Sequence, residues 1–117
     1  MKLKELLELQ KELDDRIIEK KYNPSDMGQL NYLHEMMLPE RLLALQVETS
    51  ELANATRCFK YWSDKGPEPK ERILDEYADV LHFVLSVGNT LNFTAEEIEE
   101  AYIKKHKENY KRLEEGY

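Results

Sequence analysis

The chain has 117 residues, with 24 acidic side chains against 17 basic ones, a net charge of −7 and one cysteine, Cys58. No block of about five basic residues occurs, so a footprint for a phosphate backbone is lacking and nucleic acid is not an expected partner. A lone cysteine forms no intrachain disulfide, no apolar run approaches about 18 residues, and the charged opening MKLKELLELQKELDD does not read as a signal segment; a cytoplasmic protein folded as one domain over residues 1–117 is expected.

Residues 2 to 21 carry Leu3, Leu6, Leu13 and Ile17 at helical spacing, which predicts a first helix with this stripe toward the core. Gln10 interrupts the stripe, with Asp14 beside it. A buried amide there either satisfies a neighbouring group or presents donor and acceptor to the edge of a nucleobase. Asn23 and Pro24 end the helix. MGQLNYLHEMML, residues 27–38, holds a short helix. Pro39 suits the first turn of the next one, which is expected to run to about Trp62. SDKGPEPKE is a break. A helix then covers roughly 70 to 88 and GNTLN closes it. TAEE, from Thr94 to Glu97, is a capping box that opens a final helix reaching about Glu115. No segment alternates with period two, so the fold class is all-α with four principal helices.

Two helices carry acids where an apolar face is expected. At about 100° per residue, Glu48 projects with Leu45, Leu52 and Arg41, and Glu51 lies roughly 60° away beside Ala44 and Ala55. Glu76 projects with Val80, Phe83 and Val87, and Asp79 sits at the edge of that stripe. A buried carboxylate is too costly to keep ionised alone. Protonation, the basic partners Arg41, Arg57 and Arg72, or a cation must neutralise the four. An oxygen-only donor set suits a hard cation, Mg²⁺ first. A di-iron bundle would need Glu-x-x-His pairs, and only Asp79 has a histidine, His82, at that spacing; His34 and His106 lie elsewhere.

The final helix continues Ile98 and Tyr102 with Lys105, Asn109 and Arg112 on one stripe. Such a strip is either a solvated helix end or a set of donors for phosphate oxygens. Trp62, in the sequence FKYW, either packs on its loop or stacks on a base.

On ETSELANATRCFKYWS, DEYADVLHFVLSVG, YIKKHKENYKRLEEGY and LQKELD, the chain resembles the all-α dimeric dUTP diphosphatases, within the MazG-like nucleoside triphosphate pyrophosphohydrolases. The paired ExxE and ExxD point to the wider group; FKYW and the terminal pattern of lysine, asparagine, arginine and Gly-Tyr point to the dUTP branch. The resemblance implies a four-helix dimeric bundle that hydrolyses dUTP, and dUDP, to dUMP. It implies Mg²⁺ held by Glu48, Glu51, Glu76 and Asp79, with Glu48 activating the attacking water. It assigns Gln10 to uracil, Lys60 and Trp62 to the lining of the nucleotide site, and Lys105, Asn109 and Arg112 to the phosphates. Two departures stand out. His106 follows Lys105, and only NTLNF bridges a gap in which longer relatives carry a helical lid, which implies a more open site. The alternatives are a broader pyrophosphohydrolase acting on dCTP or damaged nucleotides, and a non-catalytic helical dimer held by salt bridges.

Overall fold

A computed structural model describes residues 1–116 and contains five helices: α1 (Leu3–Tyr22), α2 (Met27–Met36), α3 (Leu38–Thr56), α4 (Lys70–Thr90) and α5 (Ala95–Glu115). There is no strand among the described residues. Each boundary has a local cause. Asn23 takes the left-handed conformation (φ 47°) and closes α1 with its N–H on the Glu19 carbonyl, just before Pro24. The side chain of Asp26 caps α2 by accepting from Gln29 N–H at 2.8 Å. Pro39 occupies the first turn of α3. The Thr94–Glu97 capping box that opens α5 is complete in both directions.

The end of α3 differs from the sequence expectation. Arg57, not Trp62, terminates it, because Arg57 is left-handed (φ 59°) with its N–H on the carbonyls of Ala53 and Asn54. The Arg57 guanidinium then gathers the following loop by donating to Ser63 Oγ (3.0 Å) and to the Lys65 carbonyl. The sequence FKYW therefore lies on turns beyond the helix. At the other junction, α4 runs two residues past the expected Gly88. It stops where Asn92 is left-handed (φ 61°), with Phe93 N–H on the Gly88 carbonyl and Asn92 N–H on the Asn89 carbonyl. This is a Schellman closure, and it fixes the direction in which α5 leaves.

Helices α3 and α4 form the principal antiparallel pair: Ala55 meets Glu68, Glu48 approaches Glu76 and Asp79, and Arg41 meets Thr90. Helix α1 lies across the second half of α4 and is tied to it by Asn89 Nδ2 donating to the Leu7 carbonyl (2.9 Å). The apolar cluster at that crossing is Leu7, Leu85 and Ala95, with Leu3, Leu6 and Ile98 packed around it.

Helix α1 keeps half of the expected stripe, with Leu3 and Leu6 packed on the core cluster, and reverses the other half. The face it buries carries Leu7, Gln10, Asp14 and Ile18, while Leu13 and Ile17 stand exposed, Ile17 by 53%. Polar groups take the inner positions because each finds a partner there, as described below. The second half of the expected stripe is left facing outward.

That outward surface is part of a larger pattern. The radius of gyration is 17.8 Å, against about 13 Å for a compact domain of this length. The accessible surface is 9353 Å², against roughly 6,700 Å² for a compact monomer of this mass. The longest extent is 52 Å, whereas a helix of 21 residues spans only about 31 Å. The helices therefore do not all lie side by side.

Candidate functional site

The acids of α3 and α4 converge where those helices face each other. Glu48, Glu76 and Asp79 each offer a carboxylate oxygen, and these atoms lie within 4.8 Å of one another. Glu51 stands outside that set, exposed one turn along α3, yet its charge is felt at Glu48. Burial first, and then the charges of Glu51, Asp79 and Glu76, push the Glu48 carboxyl above its ordinary range. Oε2 of Glu48 and Oε2 of Glu76 are shut off from solvent with no hydrogen-bond donor. Buried acceptors of this kind are costly unless something meets them.

The arginines do not meet them. Only Arg72 reaches the cluster, through Nη2 to Glu76 Oε1 at 3.3 Å, and it divides its charge with Glu68 and Asp75. Arg41 turns to Thr90 and His34, and Arg57 to its own loop. A salt-bridge set thus leaves two oxygens orphaned. These all-oxygen donors fit a hard divalent cation, which would meet the two orphans and offset the mutual repulsion. No histidine belongs to the cluster, and His82 is exposed.

Along α4, residues Glu76, Asp79, Phe83, Ser86 and Thr90 share one face at the helical step of about 100°. Ser86 lies seven residues beyond Asp79, roughly 10 Å along the axis. There Ser86 Oγ donates to Asp14 Oδ2 (2.6 Å), and Gln10 Nε2 donates to Asp14 Oδ1 (3.0 Å). Gln10 and Asp14 are 6% and 8% exposed. This carboxylate, unlike those of the acid cluster, has a donor on each oxygen. The amide of Gln10 is held in one orientation, with its N–H₂ committed to Asp14.

One turn further, a second polar chain links four helices. Arg41 Nη1 donates to Thr90 Oγ1 (2.7 Å) and Nη2 to His34 Nδ1 (3.0 Å). A guanidinium has only donors, so His34 Nδ1 accepts and Nε2 carries the proton, donating to Asp15 Oδ1 at 2.7 Å. A cavity of about 280 Å³ opens here, lined among others by Asp14, His34, Arg41, Asn89, Thr90 and Asn92. This group leaves no pattern in the sequence, because Asp15, His34, Arg41 and Thr90 lie on four different helices.

The other residues singled out from the sequence lie apart from these contacts. Trp62 is 64% exposed and sits edge-on to Phe59 (6.1 Å) and Tyr61 (5.2 Å). Lys60 Nζ stands 5.8 Å from the Phe59 ring centre. On α5, Lys105 and Arg112 both pair with Glu108 of their own helix, at 3.5 and 2.7 Å, and Asn109 is exposed. Among the described residues no hydrogen bond or ion pair joins that strip to α3 or α4. Tyr117, the last residue of the terminal pattern, lies outside the described residues.

Comparison with known proteins adds one match. A family model described as dUTPase covers residues 2–92 and 86–117. The two pieces overlap at 86–92, the junction of α4 and α5, where longer relatives are expected to carry a lid. No curated protein and no solved structure matches the chain.

Proposed function

The chain belongs to the dUTPase family, a dUTP diphosphatase by that membership, and on this premise we propose a Mg²⁺-dependent hydrolase that converts dUTP to dUMP and pyrophosphate and also accepts dUDP. One observation carries the metal dependence: two buried carboxylate oxygens, on Glu48 and Glu76, converge with Asp79 and no basic side chain meets them. Glu48, Glu76 and Asp79 would hold the cation, with Glu51 adding charge from the next turn. Bound there, Mg²⁺ would screen the phosphate charge and act as a Lewis acid on it.

The rest of the chemistry belongs to the side chains. Glu48 takes the proton of the attacking water, and its raised proton affinity suits it to that role. Lys105, Asn109 and Arg112 donate to the phosphate oxygens as charge builds during attack. Gln10, with its N–H₂ fixed by Asp14, keeps Oε1 as an acceptor for the ring N–H of uracil. Lys60 and Trp62 line the nucleotide, with the exposed indole face available for stacking. Cysteine use and charge support a cytoplasmic domain over residues 1–117 with no nucleic-acid partner. The expanded single chain, with roughly 2,700 Å² more surface than a compact monomer would show, supports a homodimer.

The short junction at Leu91–Thr94 favours a second reading, a broader pyrophosphohydrolase with a more open nucleotide site. Pyrophosphate release from dUTP, dCTP, dTTP, dATP, dGTP and UTP, with and without Mg²⁺, separates the two. Release confined largely to dUTP supports the first reading, and comparable rates across the panel support the second. No Mg²⁺-dependent release from any nucleotide overturns both.

A further inference from the structure

Of the three converged acids, only Glu76 has a side-chain hydrogen bond among the described residues. Its two oxygens are in different situations. Oε1 accepts from Arg72 Nη2 at 3.3 Å, whereas Oε2 is shut off from solvent and meets no donor. A carboxylate beside two others gains by swinging out to water, and an orphaned acceptor gains by the same movement. The bond on Oε1 opposes that movement.

Arg72 lies one turn before Glu76 on α4 and is itself held in place. Its Nε stands 3.9 Å from Glu68 Oε2 and its Nη1 3.5 Å from Asp75 Oδ2. Glu68 in turn is tied to α3, because its backbone N–H donates to the carbonyl of the buried Ala55 (3.0 Å). The guanidinium is therefore anchored to the α3–α4 junction as well as to its own helix.

Two effects of Arg72 on a bound cation oppose each other. Its positive charge repels the cation, yet Glu68 and Asp75 offset that charge, and the side chain is 56% exposed, so water screens the rest. Its hydrogen bond acts on direction and is not offset in this way. Direction therefore outweighs repulsion.

We infer that Arg72 is a positioning residue for the metal site: it holds Oε1 of Glu76 so that Oε2 stays turned into the cluster. This rests on the metal-dependent reading above and adds a residue to it. Glu76 becomes the fixed ligand of the set, while Glu48 is left without a hydrogen bond and free to move a proton.

The test is Mg²⁺ affinity of the nucleotide-free protein, measured by titration calorimetry for the parent and Arg72→Ala. Loss of the partner of a ligating carboxylate lowers metal affinity about 10–100-fold, and a loss of that size is expected. The melting temperature of the metal-free variant should stay near the parental value, since exposed ion pairs contribute little to stability. Should Arg72→Ala not fold, Arg72→Lys is read instead and should show a smaller loss in the same direction. In turnover of dUTP, the Mg²⁺ concentration for half-maximal rate should rise about 10–100-fold while kcat at saturating Mg²⁺ stays near the parental value. Unchanged or tighter Mg²⁺ binding in the variant overturns the inference and leaves the metal reading standing. A fall in kcat that Mg²⁺ does not restore also overturns it. A parent that binds no Mg²⁺ overturns both.

Discussion

The α3–α4 pair and α5 present their charged side chains in opposite states. On α3 and α4 three carboxylates are brought together within a single chain, held by antiparallel packing and short of a counter-charge. On α5 the cations are displayed on a helix that the chain itself leaves bare, paired only with Glu108 of the same helix. The contrast teaches that the carboxylate cluster is assembled by folding alone, whereas the cationic face of α5 makes no contact with it within one chain. Substitutions in the first should change both metal response and activity, and those in the second should change activity alone.

The largest expected effect is on the acids. Asp79→Asn or Glu76→Gln should lower dUTP turnover by more than the roughly 10–100-fold typical of losing an outer-shell partner, and should abolish stabilisation by Mg²⁺ in thermal unfolding. Metal response retained in both variants would break the comparison. Next, Arg112→Ala removes charge-assisted hydrogen bonds worth about 1.5–3 kcal/mol, so kcat/KM should fall roughly 10–100-fold. Its melting temperature and Mg²⁺ response should stay at the parental values, since the side chain is half exposed and bonded only to Glu108. A loss of Mg²⁺ response in Arg112→Ala would place the strip at the metal.

Smaller effects lie in stability. Ser86→Ala leaves Asp14 Oδ2 without its donor and should cost about 1–3 kcal/mol, read as a lower denaturation midpoint. The smallest effect concerns Glu48 without metal. Its carboxyl sits above the ordinary 4.5 in the folded chain, so folding favours the protonated form. The penalty is absent below the unfolded value and grows as pH rises from 4.5 through the folded value, the reverse of a salt-bridged carboxylate. Metal-free Glu48→Gln should therefore melt higher than the parent at neutral pH, and the gap should close as the solution is acidified toward 4.5. A variant that melts lower at neutral pH would mean that the charge is already met by the fold.

What the sequence made legible was mostly local. Asn23-Pro24, Pro39 and the Thr94–Glu97 box mark the end of α1 and the starts of α3 and α5 through contacts within a few residues. The inward direction of Glu48 and Glu76 was legible for the same reason, because the helical step alone sets it. The expectations that failed depended on distant partners or on a single backbone angle. Leu13 and Ile17 outscore Gln10 and Asp14 in hydrophobicity, yet Asp14 turns inward because Ser86, 72 positions away, donates to it. Nothing in FKYW reveals that Arg57 will turn left-handed and end α3 early. The His34–Arg41–Thr90 chain was invisible, since it exists only once α2, α3 and α4 have met.

The most direct test of the account is pyrophosphate release from dUTP at saturating Mg²⁺, measured side by side for the parent chain and Glu48→Gln. The carboxylate-to-amide change keeps the shape of the side chain but removes the charge and the base, so the rate should fall by about 10²–10⁴-fold. Equal rates in the two proteins would contradict the claim that the converged acids of α3 and α4 carry the reaction.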